Sequence, residues 1–256
     1  MKLYKADAIV LRARDCGEGD KILTLYSREH GRIKAMAHGV SKPTSRKRGA
    51  VQPFTRSRFL LRRGRELDTV SQCEGVETFP FLRESLERIG YASYVAELVE
   101  ALTPEGEPNE SLFFLLLDVL RLLAGGDAEM LARAFELKVA ALLGYCPVLE
   151  RCSHCQGALA GPLFFSSSLG GAVCGLCVAF AANPVEVNKG TLEILKALLN
   201  WPLARIGLLR VNRRFRNRIR LILRQYLTYH LERDLKSYAF LDRFGQAPAG
   251  SGAADV

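Results

Sequence analysis

The sequence predicts an α+β chain: a small barrel of about five strands, then an all-helical domain interrupted by a four-cysteine insert. Three features predict it. In Arg32-Ile33-Lys34-Ala35 basic and apolar side chains alternate with period two, and from residue 80 the period becomes helical. Short β-prone runs separated by Gly and Pro suit a closed barrel. Two Cys-x2-Cys pairs lie in one stretch between helical segments. The expected parts are 1–79 for the barrel, 80–148 with 181–244 for the helices, 149–180 for the insert, and 245–256 for a disordered tail of small residues.

Ala8-Ile9-Val10-Leu11 belongs to a first strand ending at Asp15-Cys16-Gly17, and Lys21 to Tyr26 forms a second. Ser27 to Gly31 turns the chain into Arg32-Ile33-Lys34-Ala35, whose alternation sends one face to a core and presents charge on the other. A loop with Gly39, Pro43 and Gly49 leads to a strand from Arg56 to Leu61, a turn at Gly64 and a partner strand from Glu66 to Cys73. Phe81 to Leu102 is an amphipathic helix stopped before Pro104. Asn109 caps a second helix through Ala124, Asp127 a third ending at Gly144, and Asn188 one over Lys189 to Leu199. A last long helix runs from Asn212 to Ala239.

With 48% hydrophobic residues among 256, the chain can bury a core and is not globally disordered. The formal net charge of +9 favours a polyanionic partner. The most apolar run, Leu112 to Leu117, is far shorter than the roughly 20 residues a span requires, and the N-terminus lacks the apolar core of a signal peptide. No membrane partner and a cytoplasmic location are therefore expected. Seven cysteines, an odd number with four clustered, suit a reducing compartment with one metal site better than a disulfide framework.

That site is Cys152, Cys155, Cys174 and Cys177, two knuckles separated by eighteen residues. Such spacing places four thiolates around one Zn²⁺ and leaves no position for a reactive water, so the ion is structural. Gly170-Gly171 permits a hairpin between the knuckles. His154, inside a knuckle, reads as solvent-facing rather than as a ligand. An iron–sulfur cluster is the chemical competitor.

Eleven Lys or Arg and no acid lie between Arg32 and Arg65. A merely solubilising surface mixes its signs. Arg46-Lys47-Arg48, with Lys42, sits in a loop able to track phosphates, while Arg32 and Lys34 on one strand and Arg56 and Arg58 on a facing strand suggest a cationic groove for single-stranded nucleic acid. A second acid-free stretch, Lys196 to Leu231, puts Phe215, Ile219, Ile222 and Tyr226 toward the core and Arg213, Arg216, Arg220 and Arg224 on another stripe. Nothing here reads base edges, so binding without sequence preference is expected.

No nucleotide-binding or hydrolase motif is present, and the four histidines are scattered. Asp15, Glu18 and Asp20 sit at a strand connection and read as turn chemistry rather than a Mg²⁺ site. A non-enzymatic role follows. A zinc-ribbon regulator, a nuclease using those three acids and an adaptor for an acidic protein remain the rival classes.

An ordered series of segments resembles the RecO family over nearly the whole chain. Gly17-Glu18-Gly19-Asp20, Gly31 to Lys34, Ala37 to Val40, Lys42-Pro43 and Val51 to Phe54 are similar to its N-terminal domain. Tyr91 to Leu98, Phe135 to Lys138 and Gly144-Tyr145 are similar to its helical domain, Gly170 to Cys174 to its zinc segment, and Leu235 to Leu241 to its C-terminal end. The resemblance implies an OB-fold barrel, a helical domain and an inserted zinc ribbon. It also implies binding of single- and double-stranded DNA, strand annealing, and loading of RecA with RecR onto DNA coated by single-strand-binding protein, RecF taking part indirectly. That protein's acidic tail needs a basic residue beside an apolar groove. By resemblance to the helical-domain site, the residue implied is Arg133.

Overall fold

The computed structural model describes residues 2–42, 45–231 and 234–246, with side chains through Arg243. Five strands, β1 (Leu3–Cys16), β2 (Asp20–Ser27), β3 (Gly31–Ala37), β4 (Arg56–Arg62) and β5 (Asp68–Glu77), close in the order β1-β2-β3-β5-β4. Every pairing is antiparallel except β3 with β5. This is the five-stranded Greek-key closure of an OB-fold. Ala8, Val10, Leu23, Leu25, Ala35, Phe59 and Leu61 fill its interior. Ile9, Leu11 and Tyr26 point the other way and join the core of the helical part. The unbroken apolar run Ala8 to Leu11 is therefore buried on both faces.

The helices are α1 (Leu86–Leu102), α2 (Glu110–Leu122), α3 (Ala128–Leu142), α4 (Lys189–Asn200), α5 (Arg213–Leu231) and α6 (Ser237–Gln246). The expected caps form: Asn109, Asp127 and Asn188 accept the N–H groups of Leu112, Met130 and Thr191. Helix α3 packs against α1, α2, α4 and α5, so it is buried on nearly all sides.

Three expectations change. The first helix starts at Leu86, because Ser85 is extended and its hydroxyl accepts the Arg88 N–H; Pro80–Glu84 forms a separate 3-10 turn. The last helix is two: α5 ends at Leu231, and α6 is started by the Glu97 carboxylate of α1, which accepts the N–H groups of Lys236 and Ser237. Gly245 and Gln246, assigned to the tail, belong to α6, while residues 247–256 lie outside the described residues, as does Pro43.

The insert holds a sheet of β6 (Leu163–Ser166), β7 (Gly171–Cys174) and β8 (Val185–Val187) in the order β7-β6-β8, so its sheet reaches past residue 180. Gly170, at φ +74°, turns the β6–β7 hairpin. A Cβ on Gly171 would collide with the Val148 backbone, which pairs with Gly170 and Ala172.

Candidate nucleic-acid interface and metal centre

The two knuckles meet. Thiol sulfurs of Cys152, Cys155, Cys174 and Cys177 all lie within 4.8 Å of one another, with Cys155 and Cys174 4.0 Å apart. Tetrahedral Zn–S bonds of the usual length set sulfur–sulfur edges of about 3.8 Å, so this cluster fits a four-thiolate ion with slight contraction. Three of the cysteines are buried and Cys155 is exposed. Burial pushes the Cys152 thiol up, but N–H groups of Cys174, Cys155 and His154 directed at its sulfur outweigh this and hold it at about 6. Such N–H···S bonds favour the thiolate a metal needs. His154 stays outside the cluster, exposed and stacked on Phe180 at 4.4 Å between ring centroids. The four residues can bind a metal ion.

Asp15 and Asp20 serve the turns. Asp15 pairs with Lys21 at 2.8 Å, and Asp20 accepts the Gly39 N–H at 2.8 Å and meets His38 at 2.6 Å. The His38 bond and the Gly39 N–H, the larger influence, hold Asp20 below its usual range. Among the described residues the cysteines are the group of three or more potential metal ligands that converges.

The cations expected to face nucleic acid divide in two. Lys42, Arg46, Arg48 and Arg58 are exposed and form no ion pair among the described residues, and the same holds for Arg213. Others already have internal partners. Arg56 makes a bidentate bond to Asp7 at 2.6 and 3.0 Å. Arg216 is clamped by Asp127 and by Glu129, the latter at 3.3 Å. Lys47 donates to the Ser71 carbonyl at 2.9 Å, and Arg220 to Asn217 at 2.5 Å. Lys34 meets Glu105 at 2.6 Å and Arg32 meets it at 4.0 Å. The Lys34 bond holds the Glu105 carboxyl below its usual range.

The expected groove across Arg32, Lys34, Arg56 and Arg58 does not form, because β3 and β4 are not neighbours: β4 pairs with β1 and β5. On the outer face of β2 and β3, where barrels of this topology take oligonucleotides, the Tyr26 end meets the helical part while Lys34 stays exposed. Tyr26 is fully buried there, its hydroxyl 3.5 Å from the Asn109 carbonyl.

Arg133 is a correction. It is 2% exposed, with its guanidinium bonded to Glu136, whose carboxylate also accepts the Tyr94 hydroxyl. A peptide tail cannot reach it. On α5 the stripe of Arg216, Arg220 and Arg224 is half-buried, and Arg224 bonds Asp242 at 3.0 Å. The open side carries Arg214, Arg218, Leu221, Gln225 and Tyr229. Sequence reasoning left Arg214 and Arg218 out of the site. Their signal was present, since a helix buried at Ile219, Ile222, Leu223 and Tyr226 turns 214, 218, 221 and 225 outward.

Comparison with known families completes the picture. The model described as recombination protein O N terminal matches residues 1–79, and that described as recombination protein O C terminal matches residues 83–239. The chain is 43% identical over 253 residues to the DNA repair protein RecO of Desulforamulus reducens, covering 98% of this chain and 99% of the relative. It is 42% identical over 245 residues to that of Desulforudis audaxviator, covering 96% and 98%. With the protein of the same name from Symbiobacterium thermophilum it shares 39% over 252 residues, covering 96% and 100%. The barrel, the helical part and the cysteine segment thus stand in one frame, and the chain belongs to the recombination protein O (RecO) family.

Proposed function

We propose that the chain is a non-enzymatic mediator of DNA repair and recombination. It binds single- and double-stranded DNA without sequence preference, anneals complementary strands, and with RecR helps load RecA onto DNA coated by single-strand-binding protein, RecF acting indirectly. The observation that carries this reading is the set of exposed cations that form no ion pair among the described residues, Lys42, Arg46, Arg48 and Arg58 on the barrel and Arg213, Arg214 and Arg218 on α5. Two such surfaces hold two strands and screen their repulsion, and base pairing supplies the driving force. Residues 1–79 act as the DNA-binding domain, and 80–148 with 188–246 as the helical scaffold. Within 149–180, Cys152, Cys155, Cys174 and Cys177 hold a structural Zn²⁺. Among the described residues no helix is long and apolar enough to cross a membrane, and the reading places the protein in the cytoplasm with the nucleoid.

The acidic tail of single-strand-binding protein requires open cations beside apolar surface. A cleft of about 580 Å³ between β1 and α1 offers both. Leu11, Phe54 and Ile89 line it with exposed Arg14, Arg83 and Lys236, while its two carboxylates are engaged, Glu97 by the Lys236 and Ser237 N–H groups and Glu100 by Arg12. It replaces Arg133 as the place for that tail.

The test is annealing of complementary oligonucleotides without ATP across a salt series. The expected result is acceleration at low salt. If about five phosphates are neutralised, the log–log slope for single-strand binding is about −3 to −4. Absence of acceleration, or dependence on ATP, would contradict the reading.

A further inference from the structure

We propose that the cleft at the outer edge of β3 is a phosphate site for a nucleic-acid strand, and that Glu105 competes for it by standing where the phosphate binds. The proposal rests on the DNA-binding reading above and adds a site and its control. The cleft has a volume of about 250 Å³ and is lined by His30, Arg32, Lys34, Arg63, Arg65 and Glu105, among others. Two of these cations converge on one carboxylate oxygen: Oε1 of Glu105 is 2.6 Å from Lys34 and 4.0 Å from Arg32. The Arg32 Nε is buried and has no hydrogen-bond partner. Buried donors of this kind are normally satisfied. Glu105 sits on Lys34 and leaves this guanidinium edge unmet, whereas a phosphodiester in its place has one free oxygen for Arg32 and one for Lys34.

The backbone delivers Glu105 to this place. The connection from α1 to α2 lies on β3, with the Gly106 N–H bonded to the Arg32 carbonyl at 3.1 Å. Gly31, at φ +63°, admits the Glu107 backbone where a Cβ would collide. The seat is therefore fixed, but the Glu105 side chain is 47% exposed and can swing into solvent without moving it. Arg63, held over the Tyr4 ring at 5.1 Å, and Arg65 remain at the mouth without ion pairs among the described residues. Two more carboxylates face the cleft. Asp68 is engaged by the Tyr4 hydroxyl and the Gly64 N–H, and Glu66 is exposed. A phosphodiester entering as Glu105 leaves keeps the local charge unchanged, so the exchange is close to balanced and a weakly held anion does not win it.

The test is titration of a labelled single-stranded oligonucleotide against the full chain and Glu105→Gln at several salt concentrations, with melting temperatures recorded. Glu105→Gln is expected to bind about threefold more tightly. Its log–log salt slope becomes steeper by about 0.7, the increment for one more phosphate on a single strand. Adding Lys34→Ala to Glu105→Gln removes both gains. If wild type binds DNA and Glu105→Gln matches it in affinity and slope, Glu105 only staples the barrel to the helices and the proposal is overturned, whether or not the melting temperature falls. If neither protein binds DNA at low salt, the DNA-binding reading itself fails and takes this one with it.

Discussion

The cysteine cluster and the cationic surface differ in how their parts depend on one another. In the cluster, four sulfurs from two tight turns share one volume, so losing any one opens the whole site. On the surface, Lys42, Arg46, Arg48, Arg58 and Arg213 form no ion pair among the described residues, so on the proposed reading losing one removes one phosphate contact. A third group lies between them: Arg56, Arg133 and Arg216 are bound to carboxylates of the same chain and hold the fold together. The contrast teaches that formal charge does not sort these residues, whereas partner and burial do.

The sharpest way to break the comparison is Cys174→Ser. Structural zinc sites of this kind hold on the order of 10 kcal/mol of metal-coupled folding. On the zinc reading proposed above, the wild type carries one ion per chain by elemental analysis, and the variant is expected to lose it and to become protease-sensitive around residues 149–187. Full metal retention would make the cluster as graded as the surface.

Arg133→Met comes next. Burial pushes the Glu136 carboxyl up, and the adjacent Arg133 charge opposes that push. Removing the arginine leaves a buried carboxylate unpaired, at a cost of about 3–5 kcal/mol, and adding Glu136→Leu recovers most of it. Chemical denaturation measures both. A neutral single variant would place Arg133 with the surface residues.

A smaller loss is expected for Asp127→Ala, about 2 kcal/mol from a helix cap and an ion pair together. This residue also sets a pH dependence. Burial raises the Asp127 carboxyl, but Arg216 and the N–H groups of Met130 and Glu129 lower it more, so it lies below its usual 3.8. A carboxylate depressed by folding stabilises above its unfolded value and loses that contribution as pH falls. Wild type should weaken as pH drops below about 4, and Asp127→Asn should show less of that decline in acid unfolding.

The mildest change in stability belongs to Arg46→Glu with Arg48→Glu. Single-strand affinity is expected to fall about tenfold and the salt slope to flatten by about 1.4, for two phosphates, with little change in melting temperature. Lys47 is left in place because its ammonium holds the Ser71 carbonyl. A large stability loss would move this loop to the third group.

Where a feature was decided by neighbours in sequence, it was legible. Asn109, Asp127 and Asn188 cap their helices because each side chain bonds a residue three positions on. The cysteine pairs carry their own spacing. The acids that claim Arg32, Lys34, Arg56 and Arg216 come from Glu105, Asp7, Asp127 and Glu129, outside the acid-free runs that suggested open charge. Arg133 misled for a related reason. It was implied by resemblance alone, and packing of α1, α2, α4 and α5 around α3 buries it. The break before α6 carries no Gly or Pro, since its signal is a carboxylate on α1.

The central claim is that two separate cationic surfaces act together on two strands. Its most direct measurement compares annealing rates with single-strand affinities for wild type, Arg46→Glu/Arg48→Glu and Arg214→Glu/Arg218→Glu, under saturating protein. The account expects each double variant to be saturated with DNA yet slowed more than about tenfold in annealing, because each keeps one surface. Annealing at the wild-type rate by either saturated variant would show that one surface suffices and would contradict it.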